Sequence, residues 1–222
     1  MKRLLYCIVQ QAPDEPLPAP GLCVVAAHGL AAVVANVEET NSAPSVSCLL
    51  AYEKVVEVVH DRQTVIPLRY GCLMESEPAI IRLLEDHRQE YETLLSRLQG
   101  MTEMAIRVLS PAPPRLAPES PSSPGAAYLA SLRNRYDSGD SLAPEEAQLA
   151  DQTAALLTGR YAEQRREVSP AGRRRLVSLY FLTPKTGVER FRNAARKICP
   201  PGGAKLLLSG PWPPYNFAAP PD

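Results

Sequence analysis

Apolar residues crowd the first forty positions with little sign of helical spacing. The run from Arg3 to Val9 predicts a buried strand. Leu22–Ala27 and Leu30–Val37 flank His28-Gly29, where a glycine permits the positive φ of a tight turn, so the two runs predict a β-hairpin. From Ser45 the apolar set Leu49, Tyr52, Val56 and Val59 recurs at helical spacing, although the valine-rich stretch 54–59 alone also suits a strand. Thr64–Gly71 reads as a strand in which Pro67, lacking an N–H, demands an edge, a bulge or a strand end. Ser76 can cap the next helix, with Pro78 tolerated in its first turn. Ile80, Leu84, His87, Tyr91, Leu94 and Leu98 then follow at alternating steps of four and three, and Gly100 ends that helix. Glu103–Leu109 alternates again as a strand. The order predicts a small antiparallel or mixed sheet covered by two helices, an α+β domain over residues 1–110.

Proline then changes the pattern. The chain holds 23 prolines, about twice the average share of ~5%. Residues 111–124, Pro-Ala-Pro-Pro-Arg-Leu-Ala-Pro-Glu-Ser-Pro-Ser-Ser-Pro, have too few N–H donors and too many fixed φ angles for a helix or central strand. They predict an extended, semi-rigid linker and a domain boundary. The second domain, 125–222, reads as a short helix over 126–136 and a longer one capped by Ser141 with Pro144 in its first turn. Ala147, Ala150, Ala154, Leu157 and Tyr161 form the stripe of that second helix. A strand over Arg174–Leu182, an amphipathic helix over Val188–Ile198 and a strand over Ala204–Ser209 complete it, a strand-helix-strand order that permits a βαβ unit.

Composition and charge narrow the function. Lys+Arg and Asp+Glu both number 24, a balance that argues against a dedicated nucleic-acid binder. The balance conceals a split, with 10 basic and 15 acidic residues in 1–125 against 14 and 9 in 126–222, which fits two units of opposite sign. The five cysteines are scattered without a C-x-x-C pair and suit a reducing compartment. The basic start 2–9 imitates a secretion signal, but its apolar run stops at Gln10-Gln11, and no stretch approaches the ~20 apolar residues that span a bilayer. His28, His60 and His87 share no metal-ligand spacing with one another or with cysteine. There is no G-x-S-x-G elbow and no phosphate-cradling glycine loop, so no catalytic, cofactor or metal site is assigned. The arginines at 165–166 and 173–175 lack interleaved aromatics and read as a solvated or interdomain face.

Two stretches carry a resemblance. The block Tyr52-Glu-Lys-Val-Val-Glu followed by Thr64-Val-Ile-Pro-Leu-Arg-Tyr-Gly71 resembles the helix-then-strand block of the gas vesicle proteins GvpF and GvpL, in which a His-Glu-x-Val helix start leads into T-V-L-P-x-R-F-G. The tail Gly210-Pro-Trp-Pro-Pro-Tyr-Asn-Phe217 resembles that family's G-P-W-P-P-Y-x-F ending. Glu103–Val108 is similar to its E-x-x-[VI]-[KR]-V strand, and residues 124–129 to its small-small-Tyr-Leu entry into the second domain. Tyr52 stands where the family pattern has histidine.

The resemblance implies a cytoplasmic, two-domain α+β protein with at least one ferredoxin-like unit. It implies a role as an accessory or minor structural component of gas vesicle assembly. Its partners would be the hydrophobic major shell protein and other vesicle accessory proteins, with no cofactor, no membrane and no nucleic acid. A ligand-sensing or regulatory module on a ferredoxin-like fold, without catalysis, is the alternative. The family motifs supply the candidate residues for partner contact or structure: Pro67, Arg69, Gly71, Trp212, Tyr215 and Phe217. Arg69 can pair with an acidic partner group or form an ion pair within the chain. The tail aromatics can act as hot-spot contacts on a proline frame or fold back to seal their own domain, the role favoured for Trp212.

Overall fold

The covering of a sheet on both faces explains why the first forty residues show apolar runs rather than alternation. The computed structural model describes residues 2–13, 15–37, 45–109, 144–171, 174–199 and 204–218. The proposed linker 111–124, the helix over 126–136 and the cap at Ser141 lie outside the described residues. Among those described are five α-helices and two antiparallel sheets, an α+β architecture. The chain divides into two compact units: 1–103 with 211–222, and 104–210. The tail octet, expected within a second domain, clusters with the first unit from Pro211 onward.

In the first unit, β1 (Lys2–Val9) lies between β3 (Leu30–Val37) and the two-residue β4 (Ile66–Pro67), with β2 (Leu22–Ala27) beyond β3 at the edge. A second two-residue strand, β5 (Leu73–Met74), also pairs with β1. The β2–β3 hairpin turns at His28 and Gly29, both at positive φ (50° and 82°), the pair of angles that a two-residue turn between twisted strands requires. Leu4, Cys7, Val9, Ala31 and Val33 pack against Tyr52, Val55, Val56 and Val59 of α1 (Val46–Arg62). Ser45 caps α1, its hydroxyl accepting from the Cys48 N–H at 3.3 Å. The opposite face meets α2 (Glu77–Asp86), which packs on β2 and β3, and α3 (Arg88–Leu98), which packs on β4.

Two expectations for this unit are corrected. The single helix expected from Ser76 to Gly100 is two, because His87 (φ −107°, ψ 16°) closes α2 and caps α3. The strand expected over Thr64–Gly71 is confined to Ile66–Pro67, and a reverse turn follows in which the Cys72 N–H donates to Arg69 O at 3.3 Å.

The second sheet has the order β7 (Glu163–Ala171), β8 (Arg174–Pro184), β6 (Met101–Leu109), β9 (Lys205–Trp212). Its core sets Met104, Ile106, Val177 and Phe181 against Ala150 and Leu157 of α4 (Pro144–Leu157) and Phe191 of α5 (Val188–Ala195). α4 ends at Leu157 rather than reaching Tyr161, with Gly159 in the left-handed region (φ 75°) shortly after. β7 was not anticipated: it opens with five polar residues in a row, Glu163-Gln-Arg-Arg-Glu167, instead of an alternation of polar and apolar ones. Arg166 of this strand pairs with Asp151 at 2.6 Å, and Arg175 of β8 pairs with the buried Glu146 at 3.2 Å. Part of the arginine run is thus bound within its own unit.

Candidate functional site

The two motif blocks, far apart in sequence, meet around a bulge in β1. The register with β3 shifts between Leu5 and Cys7, so both Tyr6 and Cys7 turn toward the α1 side. Tyr52 reaches this point from α1. Its hydroxyl lies 2.8 Å from Leu5 O, 2.8 Å from Leu68 O and 3.3 Å from Tyr6 O. A phenol has one hydrogen to donate, so the three carbonyls share it, and the helix, the first strand and the motif loop are tied at one atom. The Tyr6 and Tyr52 rings stack at 4.5 Å, and Tyr70 meets Tyr52 edge-on at 5.2 Å. Burial, with smaller contributions from Tyr215, Cys7, Cys72 and Tyr6, pushes the Tyr52 phenol well above its ordinary range. Burial also raises the Cys7 thiol from 9.0 to about 12.

The motif loop places its candidates differently. Pro67 is buried at the sheet edge opposite Cys7, where a missing N–H costs the ladder least. The next residue resumes pairing, Leu68 N–H donating to Tyr6 O at 2.9 Å. Gly71 has φ 95°, the conformation a type II turn needs at its third position, and nothing would meet a Cβ there within 4 Å. Arg69 is exposed and makes no ion pair among the described residues. Tyr70, beside it, is 39% exposed.

The tail arrives from β9. Trp212 ends that strand, its carbonyl accepting from the Thr102 hydroxyl at 2.9 Å while its side chain stays 46% exposed. The chain then makes a 3₁₀ turn over Tyr215–Phe217. Tyr215 packs against the Tyr52 cluster, and burial raises its phenol pKa above the ordinary 10.0. Phe217 is fully buried. Glu103, a buried carboxylate at the start of the motif strand in β6, accepts from the Asn216 backbone N–H at 2.9 Å and from its side-chain amide at 2.7 Å. Arg97 donates to Phe217 O at 2.6 Å. Buried carboxylates need such donors, and the tail supplies two.

Sequence reasoning therefore missed Tyr6, Tyr52, Tyr70 and Glu103 as parts of the site. Three of them left a signal, Tyr70 by standing in the Thr64–Gly71 block itself. Tyr52 replaces a histidine of the family pattern, and Glu103 opens the E-x-x-[VI]-[KR]-V strand. A separate groove of about 490 Å³ runs along α3, lined by His87, Glu90, Thr93, Leu94 and Arg97 among others. Several of its polar groups already have partners, His87 on Glu90 at 3.0 Å, Thr93 on Gln89 O at 2.8 Å and Arg97 on the tail. Among the described residues no cluster of His, Cys, Asp and Glu could hold a metal ion, and no helix is long and apolar enough to cross a membrane. The arrangement is built from carbonyls, phenols and apolar rings. It is suited to fixing a backbone and presenting a surface.

Residues 2–219 match the family model described as gas vesicle synthesis protein GvpL/GvpF. Gas vesicle protein L1 of Halobacterium salinarum is 26% identical over 97% of this chain and 90% of its own length. Gas vesicle protein F2 of the same organism is 23% identical over 87% of this chain and 78% of its length. The fold matches the crystal structure of gas vesicle protein GvpF from Microcystis aeruginosa with a TM-score of 0.70 at 17% identity, covering 98% of this chain and 99% of that one. GvpF from Anabaena sp. PCC7120 matches with a TM-score of 0.68 at 17% identity, covering 100% and 97%.

Proposed function

The chain belongs to the GvpL/GvpF family of gas vesicle synthesis proteins, and on that footing we propose that it binds the small hydrophobic shell protein and keeps it from aggregating until it is built into the vesicle. Membership ties the chain to gas vesicle assembly and to interaction with other gas vesicle proteins. The finer reading starts from a physical need. A shell subunit that turns an apolar face to gas exposes that face to water before assembly, and a contiguous apolar patch in water associates with whatever covers it.

The observation that supports this chain as the cover is the division of labour inside each motif block. Pro67, Gly71, Tyr215 and Phe217 set or bury the backbone, while Tyr70 (39% exposed) and Trp212 (46%) stay at the surface beside them. Aromatics held on a fixed backbone contribute contact area with little loss of conformational freedom on docking. Arg69, exposed next to Tyr70, is a third contact residue in this reading. The work is done in the cytoplasm, before and during vesicle growth, without catalysis, metal or cofactor.

A pull-down of purified shell protein by the tagged full chain tests this. The wild type should retain shell protein. Tyr70→Ala combined with Trp212→Ala should lose it while remaining folded, with a native circular dichroism spectrum, at the temperature of the assay. Failure of the folded wild type to retain shell protein would sink the reading.

A further inference from the structure

Each sheet edge among the described residues except one carries a feature that discourages pairing with another chain. β7 carries Glu163, Arg165, Arg166 and Glu167. β9 begins at Lys205 and contains Pro211, which has no N–H. β4 and β5 are two residues each, and β4 ends in proline. Charge, proline and shortness are the usual means of blunting an edge. β2 has none of them. Leu22-Cys-Val-Val-Ala-Ala27 is six residues long, uncharged and free of proline, and three of its residues are β-branched or leucine.

Its backbone is also available. The two-residue turn makes Ala27 and Leu30 the hydrogen-bonded pair that closes the hairpin. Hydrogen-bonded pairs then recur at Val25 with Ala32 and at Cys23 with Val34. The N–H and C=O groups of Leu22, Val24 and Ala26 therefore point away from β3. Among the described residues nothing accepts from or donates to them. Ala26 is exposed, whereas Leu22 and Val24 lean on the apolar cluster beside α1. α2 packs on β2 from the other side. A strand added here would extend a sheet that already has helices on both faces.

We propose that β2 is a strand-addition edge that captures an extended, uncharged apolar segment of a partner polypeptide. The occupant's chemistry follows from the edge: three outward N–H and C=O pairs demand an extended backbone, the six residues of β2 are themselves uncharged, and Arg3 and Glu77 beside the strand already pair with each other at 2.9 Å, so a charged strand would lose hydration for little return. That the partner is the shell protein rests on the function proposed above; the edge itself does not.

Fluorescence anisotropy with the full chain and a labelled, end-capped Thr-Val-Thr-Val-Thr-Val hexapeptide reads the edge directly. The wild type should bind, and Ala26→Lys, a charge at an exposed edge position, should weaken binding about tenfold or more with an unchanged melting temperature. Val24→Pro, which removes an N–H the ladder does not use, should weaken it likewise. Equal binding by all three proteins overturns the proposal. So does a wild-type dimer, broken by Ala26→Lys, that excludes the peptide, because the occupant is then a second copy. The two proposals fail separately. Shell-protein capture that survives Ala26→Lys rejects this edge and leaves the function standing, whereas peptide binding without shell-protein capture rejects the function and leaves the edge.

Discussion

Phe217 and Trp212 share one tail but differ in burial, and truncating each separates anchoring from presentation. Phe217 is 0% exposed in the first unit. Phe217→Ala removes a whole ring from a close-packed site and leaves a cavity, a loss of about 3–5 kcal/mol. The tail's polar anchors survive the change, because Arg97 holds a backbone carbonyl and Glu103 holds Asn216. The loss is therefore one of packing. For a chain of this length it corresponds to a fall of roughly 6–20 °C in melting temperature. Trp212 already exposes nearly half its surface, and its hydrogen bond to Thr102 is made by the backbone. Trp212→Ala should cost roughly 2 kcal/mol and lower the melting temperature by about 4–8 °C. Thermal unfolding followed by far-ultraviolet circular dichroism measures both. Equal losses for the two variants, or a larger one for Trp212→Ala, would refute the assignment of Phe217 as anchor and Trp212 as surface contact. Trp212 is also the chain's one tryptophan, so its fluorescence reports this site alone and should shift to the blue when shell protein covers it.

Gly71→Ala should destabilise by ~1–2 kcal/mol from backbone conformation alone, since φ is 95° and no atom crowds the added Cβ; a urea midpoint equal to the wild type's would contradict this. A thiol-reactive reagent at pH 8 should modify the exposed Cys48 and Cys199 first, with Cys7 reacting only on unfolding; fast reaction of Cys7 in the folded protein would count against its burial. The part of the stability that depends on the buried thiol and phenols should be fully present below pH 9 and be lost between pH 9 and about 12. The folded state keeps Cys7 protonated up to about 12 and holds Tyr6, Tyr52 and Tyr215 above their usual 10.0, so the unfolded chain loses its protons first. Unfolding midpoints that do not change from pH 8 to 11 would argue against these buried groups.

Much of the first unit is legible in the sequence, because a strand buried on both faces leaves an apolar run and because Ser45 and Ser76 announce their helices. The break at His87 is not legible, since the steps of four and three from Ile80 to Leu98 continue across it. Strand β7 escapes notice for a different reason: Arg166 finds its partner in Asp151 of α4, so the strand has no apolar face to betray it. The motif residues of the site can be picked out in advance, yet their meeting cannot. It depends on β9 carrying the tail back to Glu103 and Tyr52, a contact more than a hundred residues apart in the chain. The role of the Tyr52 hydroxyl is equally hidden, because an apolar helix stripe does not reveal which carbonyls a phenol will reach.

Light scattering by shell protein diluted out of denaturant tests the central claim most directly. Stoichiometric amounts of the folded chain should suppress the rise in scattering, and the Tyr70→Ala and Trp212→Ala double variant should suppress it far less. Superimposable traces with and without the folded wild-type protein would contradict the account.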